Sequence, residues 1–312
     1  MHKACKDGEG MKISLLQQIP RFGYDPASAP ELKFLKEQSE LTLQDTFELL
    51  DEAGKRGSDL AVTIEGVNMH LHWADMRWPF PEVYEGLDGP LVKRFCECAK
   101  KWSMHIAAGL YLTIDQKTYN CAVLIDDEGT IIGVHKKIHL PAGEEYQVAH
   151  GDWIEVFDTK LGRIGLQVCW DMQFPETARI QALMGAELLV LPTWGWENIY
   201  GLCRAYENSV TIAAAMGLGF GYGLPKENDP SCVVDNMGRI IASGDREHAG
   251  VITCDVDIHK EPAPQYGSEN YIHFNSMRQT RFSQRRPDCY GLLTQKLEQT
   301  PLYSRYEWEG KV

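Results

Sequence analysis

The hydrophobic pattern of this chain alternates between short apolar runs, which are typical of buried strands, and amphipathic stretches, which are typical of helices. The run Met11–Gln18 predicts the first strand. Apolar residues at i, i+4 and i+7 predict a helix over Leu41–Lys55 with one apolar face. Asp59–Glu65 (DLAVTIE) is a continuous apolar run closed by an acid, as expected of a strand buried on both faces. The whole pattern predicts about eleven short strands interrupted by four or five helices.

Some of these strands form pairs, and others stand singly between helices. Glycine-containing turn sequences join three pairs, namely Asp127-Glu128-Gly129, Lys160-Leu161-Gly162 and Asn236-Met237-Gly238. We therefore predict an α/β fold with two mixed sheets and helices on their outer faces. This domain is expected over residues 11–260, after a mobile leader at 1–10. The extension at 261–312 is rich in Pro, Gly, Asn, Ser and Arg, and we expect it to pack on the domain or on a dimer partner.

Composition narrows the class of protein. The 312 residues include 31 Lys and Arg against 44 Asp and Glu, which gives a formal charge of −13. This acidity argues against nucleic acid and anionic membranes as partners. No apolar run approaches the ~18 residues of a transmembrane helix, and the N-terminus has no hydrophobic signal segment. Nine cysteines without repeated spacing indicate reduced thiols, so we expect a cytoplasmic protein.

Cys169 differs from the other cysteines in its sequence context. A predicted strand, Arg163–Val168, ends at it, and Pro175 with Glu176 opens a helix shortly afterwards. Such a strand–turn–helix layout can hold a nucleophile at the rim of a sheet. Free N–H groups and the helix dipole should favour the thiolate. Taken alone, the segment also fits a packed core cysteine.

A cysteine nucleophile needs a base and a donor for the developing oxyanion. Glu65 ends a hydrophobic strand, where a carboxylate is costly unless it is paired or functional. Lys137 ends another strand, in HKKIHLP. An acid and a base at the rim that holds Cys169 could move a proton on and off the thiol. The alternatives are a partly buried ion pair for Glu65 and a solvated turn charge for Lys137.

Together the three motifs resemble those of the nitrilase superfamily of carbon–nitrogen hydrolases, over most of residues 11–260. Glu65 in VTIEG, Lys137 in HKKIHLP and Cys169 in CWDMQFPE match the family's residues in type, order and spacing. One departure is Ile64, because the family usually has proline before the first Glu.

The family often has a second Glu at a set distance before a Gly-Asp pair. Glu144, seven residues before Gly151, matches that position, and the adjacent Glu145 is its rival. The resemblance implies that this Glu orients the lysine and contacts the substrate.

The resemblance implies a four-layer α-β-β-α sandwich, no metal and no organic cofactor. It implies a homodimer or higher homo-oligomer, with the dimer joined through helices near the active site. It also implies that Glu65 takes the Cys169 proton and that the thiolate attacks an amide or N-carbamoyl carbon of a small molecule. Lys137 and the backbone N–H of Trp170 would stabilise the oxyanion, and water would hydrolyse the thioester.

The residues after the nucleophile bear on the substrate. Nitrilases typically resemble C-W-E-H here, whereas this chain has Asp171 and Met172. Carbamoylases for D-amino acids place arginines three and four residues after the Cys. Met172 and Gln173 stand there instead, so that carboxylate clamp is absent. The closest local likeness is to N-carbamoylputrescine-type amidases, and Arg179 is the cation that could replace the clamp.

Several side chains near the motifs are candidates for substrate binding, namely Trp170, Trp194, Tyr146, Glu145 and His70. Further aromatic candidates are Trp73, Trp78, Trp196 and Tyr200. Aromatic rings and net acidity would suit a cationic or aromatic amine portion, although core packing at the sheet edges is the simpler explanation of any single ring.

Two other classes remain open. His70-Leu-His72 with Asp75 could be half of a metal-dependent amidohydrolase site, which would need further ligands from later histidines such as His248, His259 and His273. The other class is a nitrilase-like protein that has no catalytic activity and only binds a ligand. Within the leading class, a nitrile substrate is the alternative to an amide or N-carbamoyl amine.

Overall fold

The computed structural model of the chain describes residues 10–21, 32–69, 84–218, 229–260 and 276–305. The chain separates into two compact units, residues 1–262 and 263–312. Predictions made for the leader before residue 10, and for His70, His72, Trp73, Asp75, Trp78 and His273, lie outside the described residues.

The described residues contain twelve strands. In chain order they are β1 (Met11–Gln17), β2 (Leu60–Val62), β3 (His105–Ile114), β4 (Lys117–Ile125), β5 (Ile131–Lys136), β6 (Val156–Thr159), β7 (Gly162–Leu166), β8 (Leu188–Thr193), β9 (Thr211–Met216), β10 (Cys232–Val234), β11 (Ile240–Ser243) and β12 (Gly250–Val256). The helices are α1 (Leu32–Lys55), α2 (Pro90–Trp102), α3 (Pro175–Leu183), α4 (Asn198–Asn208) and α5 (Met277–Ser283).

The strands form two six-stranded sheets, ordered β12-β1-β2-β3-β4-β5 and β11-β10-β9-β8-β7-β6. In each sheet a parallel core of three strands (β1-β2-β3 and β7-β8-β9) is flanked by antiparallel strands. The prediction of mixed sheets is therefore confirmed. All three predicted hairpins are present as β4–β5, β6–β7 and β10–β11.

Two hydrophobic cores define the layers. One lies between the sheets and draws Ile13 and Val62 from the first sheet and Leu166 and Val190 from the second. The other lies between the first sheet and helices α1 and α2. Helices α3 and α4 pack on each other, and α4 packs on the outer face of the second sheet. This is the predicted four-layer α-β-β-α sandwich.

Some boundaries differ from the predictions. Helix α1 begins at Leu32 rather than Leu41. In the predicted hairpin around Lys160-Leu161-Gly162, the first strand, β6, starts at Val156, after Trp153, which is 78% exposed. Most of the described side chains of α1 before Leu41 are exposed, and apolar periodicity marks only the part of a helix that packs.

In the second unit, α5 begins after Ser276, whose Oγ accepts a hydrogen bond from the Gln279 N–H. Short 3-10 turns follow and leave Leu292 and Leu293 60% and 65% exposed. What this extension packs on stays a prediction. No helix among the described residues is long and apolar enough to span a membrane.

Candidate active site

Two carboxylates and one ammonium meet at the ends of β2 and β5. Lys137 Nζ donates to Glu65 Oε1 at 2.8 Å and to Glu144 Oε2 at 2.6 Å. Lys137 is 2% exposed and Glu65 5%. Glu144 opens a 3-10 turn, Glu144–Tyr146, seven residues after the lysine. The neighbouring Glu145 instead accepts the N–H of Gly143 at its own turn, so the position beside Lys137 belongs to Glu144.

Asn120, on β4, completes this cluster and was not singled out from the sequence. Its Nδ2 donates to Glu65 Oε1 at 2.7 Å and to Glu144 Oε1 at 2.8 Å. The hydroxyl of Tyr111, on β3, donates to Glu144 Oε1 at 3.3 Å. Strand register could have suggested both, because Asn120 lies opposite Tyr111 and next to the residue paired with Lys136.

Burial and the neighbouring charges shift the pKa values of the ionisable groups in this cluster. Burial opposes the charge of Lys137, but the adjacent Glu65 and Glu144 carboxylates more than offset this and raise its pKa above the usual value. Burial and the nearby Glu65 charge raise the pKa of Glu144. Two carboxylates share one lysine here, so the site holds excess negative charge when both are ionised.

Cys169 lies at the end of the strand segment after β7, at the start of a 3-10 turn, Cys169–Gln173. Its φ angle of 43° is in the left-handed region, which non-glycine residues rarely adopt. The sulfur receives hydrogen bonds from the Thr193 hydroxyl and the Trp194 backbone N–H, both at the end of β8. Cys169 interacts electrostatically with Glu65 and with Lys137, so the three predicted residues lie in one site.

The expectation of a resting thiolate is wrong. Burial, followed by the negative charge of Glu65, raises the pKa of the Cys169 thiol to about 12. Lys137 and the two hydrogen bonds lower the pKa by less than burial raises it. The helix dipole that was expected to help is displaced, because a 3-10 turn separates Cys169 from α3. The thiol is therefore neutral near pH 7.

Asp171 joins the Cys169 turn to the segment around Lys137, and it is fully buried. Its Oδ2 accepts from His135 Nε2 at 2.8 Å and from the Val168 N–H at 3.1 Å. Its Oδ1 accepts from His139 through the backbone N–H at 3.0 Å and through Nδ1 at 2.9 Å, and from the Ile138 N–H at 3.2 Å. Burial works against ionisation, yet the hydrogen bonds from His135 and His139 hold the pKa of Asp171 well below its usual range.

Two glycines allow backbones to approach at the site. A Cβ on Gly109, in β3, would lie 2.3 Å from the Ile64 carbonyl oxygen and 2.8 Å from Glu65 Cα. A Cβ on Gly151 would lie 2.1 Å from the Lys136 carbonyl oxygen. Gly151 also donates its N–H to the Lys137 carbonyl at 2.8 Å. The glycine of the Gly-Asp pair noted in the sequence thus packs on the lysine segment and supports it.

The predicted substrate-binding residues are spread over different environments. Trp170 follows the nucleophile and is 39% exposed, whereas Tyr146 is 66% exposed. Trp194 is buried, and its indole N–H donates to the Glu65 carbonyl, which links the two sheets. Trp196 is fully buried and Tyr200 nearly so, as the core-packing alternative expected.

The two positions at which the arginine clamp is absent lie in different environments. Met172 is fully buried, so its side chain packs in the core and does not stand in for a substrate ligand. Gln173 is half-buried, and its carbonyl accepts from Arg204 at 3.2 Å. Arg179 lies half-buried on α3. Among the described residues, no group of three or more His, Cys, Asp or Glu side chains is arranged to hold a metal ion.

Comparison of this sequence with known proteins identifies its family. Residues 27–261 match the carbon–nitrogen hydrolase family. A probable nitrilase from Schizosaccharomyces pombe is 32% identical over 213 residues, covering 65% of this chain and 74% of that protein. An N-carbamoylputrescine amidase from Arabidopsis thaliana is 28% identical over 233 residues, covering 65% and 73%.

The fold is also found in solved structures. One is a variant of the amidase from Nesterenkonia sp. AN1 that carries the acetamide moiety of fluoroacetamide added covalently at its active-site cysteine. It has a TM-score of 0.69 at 20% identity and covers 92% of this chain and 98% of that one. The family match over residues 27–261 places the chain in the nitrilase superfamily as its class, and the α-β-β-α sandwich agrees with that match. Within it, the chain belongs to the carbon–nitrogen hydrolase family and is an amidase-type enzyme.

Proposed function

We propose that Cys169, Glu65 and Lys137 are the catalytic residues of an amidase that acts on a primary amide or an N-carbamoyl amine. The observation that carries the proposal is the Lys137 ammonium, buried between Glu65 and Glu144 and acting electrostatically on the Cys169 thiol. A buried lysine held by two carboxylates beside a thiol provides acid, base and oxyanion donor in one place.

The neutral thiol sets the first step. With a pKa of about 12, Cys169 must give up its proton as it attacks. Glu65 Oε1 already accepts from Asn120 and Lys137, whereas Oε2 accepts no hydrogen bond from the described residues. Glu65 Oε2 therefore takes the proton, and the sulfur forms a bond to the substrate carbon.

Lys137 supports the tetrahedral intermediate. Its ammonium has three N–H bonds, and the two glutamates accept two of them. The third donates to the oxyanion together with the backbone N–H of Trp170. Glu65 then returns its proton to the departing ammonia or amine as the C–N bond breaks. A water molecule, deprotonated by the same Glu65, cleaves the thioester and restores the thiol.

Two observations favour an amide or an N-carbamoyl amine over a nitrile as the substrate. The sequence after Cys169 departs from the nitrilase pattern at Asp171 and Met172. The chain also resembles a relative named N-carbamoylputrescine amidase and a structure named amidase. The likeness to the probable nitrilase makes the nitrile the necessary control substrate.

We further propose a homodimer joined through α3 and α4. Apolar side chains on or directly after these helices are 39–70% exposed, namely Ile180, Leu183, Met184 and Ile199. Large apolar side chains exposed on neighbouring helices are typical of subunit interfaces. The cysteines in the described residues are all unpaired, which supports a reducing, cytoplasmic location.

Ammonia release from purified protein tests the function, across matched primary amides, N-carbamoyl amines and nitriles. Turnover of an amide or N-carbamoyl amine is expected, together with an acyl adduct on Cys169 in intact-mass spectra. Cys169→Ala should lose both, and Cys203→Ala, at an exposed cysteine of α4, should lose neither. Turnover by Cys169→Ala, or activity removed by EDTA and restored by zinc, would contradict the proposal.

A further inference from the structure

We propose that Asp171 is a positioning residue of this reaction, whose carboxylate ties the turn carrying Cys169 to the segment carrying Lys137 and thereby fixes the separation of thiol and ammonium. The inference rests on the proposed function, in which Cys169 is the nucleophile and Lys137 stabilises the oxyanion.

The five hydrogen bonds to the Asp171 side chain come from two short segments. One donor, the Val168 N–H, belongs to its own turn. The other four come from His135, Ile138 and His139, which bracket Lys137 on both sides. In the described part of the chain, the hydrogen bonds of this carboxylate therefore all come from the segments that hold the two reacting groups.

On the nucleophile side, Asp171 closes the turn. Its N–H donates to the Val168 carbonyl at 3.0 Å, and its carboxylate accepts the Val168 N–H at 3.1 Å. These reciprocal bonds enclose Cys169, whose φ of 43° is disfavoured for a side chain with a Cβ. A left-handed conformation persists only where its surroundings enforce it, and Asp171 supplies that enforcement.

On the lysine side, Asp171 acts with two other anchors. The Lys137 backbone is already fixed by the Asn120 carbonyl and the Gly151 N–H, each at 2.8 Å. Asp171 adds bonds to the next two backbone N–H groups. The ring of His139 also stacks on Phe174, with 3.9 Å between ring centroids, which joins the same two segments a second time.

An ion pair outside the site would stabilise the fold without affecting the reaction. The partly exposed Asp51 forms such a pair, because it accepts from Lys101 and Trp102, both at 2.7 Å, between α1 and α2. The two roles give different kinetics. Loss of a merely stabilising contact lowers the melting temperature of a variant that still reacts normally, whereas loss of a positioning contact lowers kcat in the folded fraction.

The experiment compares Asp171→Asn with Asp51→Asn. Asparagine keeps the shape but loses the charge, and its NH2 faces groups that are themselves donors. In folded Asp171→Asn we expect kcat for an amide substrate to fall about 100-fold with KM within about threefold. Alkylation of Cys169 by iodoacetamide, a readout independent of substrate, should slow by at least tenfold. Asp51→Asn should leave both rates within twofold of the parent, whatever its melting temperature.

If Asp171→Asn does not fold, two variants of His135 test the inference instead. His135→Gln keeps a donor near the position of Nε2, and His135→Leu removes it. A kcat near the parental value in the Gln variant and about tenfold lower in the Leu variant supports the inference, while equal values overturn it. An unchanged kcat in Asp171→Asn, with Cys169→Ala inactive, overturns this inference alone. Full activity of Cys169→Ala overturns the proposed function as well.

Discussion

Asn120 and Lys137 are connected to each other and to the same carboxylate. The Lys137 N–H donates to the Asn120 carbonyl at 2.8 Å, and both side chains donate to Glu65 Oε1, at 2.7 and 2.8 Å. Both also donate to Glu144, one to each oxygen. The two acids are thus held by a pair of donors whose backbones are themselves joined, so the cluster is rigid without contributions from solvent.

This arrangement makes Asn120 a sensitive position. Asn120→Leu leaves Glu65 and Glu144 each without one buried donor, at a cost of about 1–3 kcal/mol in the free energy of unfolding. We expect kcat to fall about tenfold or more, because Glu65 can then turn away from the thiol. The measurements are urea denaturation and steady-state kinetics. Asn236→Leu, at a turn amide that donates to the Lys260 carbonyl, is the matched control, and equal kcat in the two variants would contradict the prediction.

The raised pKa of Cys169 predicts how its alkylation depends on pH. In Glu65→Gln the thiol has no base, and burial still keeps its pKa high although the charge of Glu65 is gone. Below that pKa the thiolate fraction rises tenfold per pH unit, so iodoacetamide alkylation should rise about tenfold per unit between pH 7 and pH 9.

In the parent protein, Glu65 accepts the proton during attack, so the same alkylation should be faster at pH 7 and should depend less steeply on pH. Glu128→Gln, at an exposed acid paired with Lys160, should behave as the parent does. Parallel pH profiles for the parent and Glu65→Gln would mean that Glu65 is not the base.

Gly109 is predicted to be intolerant of a side chain. Gly109→Ala would force a methyl group against Ile64 and Glu65 Cα, so the free energy of unfolding should fall by about 1–3 kcal/mol. The displaced Glu65 should also lower kcat. Gly250→Ala is the control, because nothing lies within 4 Å of its added Cβ. Denaturation curves that coincide for the two variants would show that β3 can move away from Glu65.

Substrate charge provides a further test. Two carboxylates share one lysine at the site, and the chain has a formal charge of −13. We therefore expect neutral and cationic amides and N-carbamoyl amines to have higher kcat/KM than matched carboxylate-bearing substrates. The surface charge contributes little at physiological salt, where the screening length is ~8 Å, so the effect should come from the site itself. A preference for the carboxylate series that disappears in Arg179→Ala would show that this arginine binds the carboxylate.

The sequence predicted the strands and the three central residues because both depend on local signals. Apolar runs and glycine turns predicted about eleven strands where the described residues contain twelve, and Glu65, Lys137 and Cys169 each stand in a distinctive short motif at a strand end. Asn120 was not found, because one amide inside a strand is indistinguishable from any other polar residue until its neighbours across the sheet are known.

The thiol pKa could not be predicted for a different reason. A helix after Cys169 can be read locally, but burial of the sulfur and its closeness to Glu65 depend on how the two sheets pack. Four of the five hydrogen bonds to the Asp171 carboxylate likewise come from residues more than 30 positions away in the chain.

The site is divided between the two sheets. Glu65 and Lys137 extend from the first sheet, Cys169 from the second, and the indole of Trp194 crosses between them. Turnover therefore reports on how the halves are aligned, and not merely on whether each half is folded. Mild denaturant or heat that loosens the packing between the two sheets should abolish activity while circular dichroism still detects intact helices and strands. Inactivation should therefore precede melting.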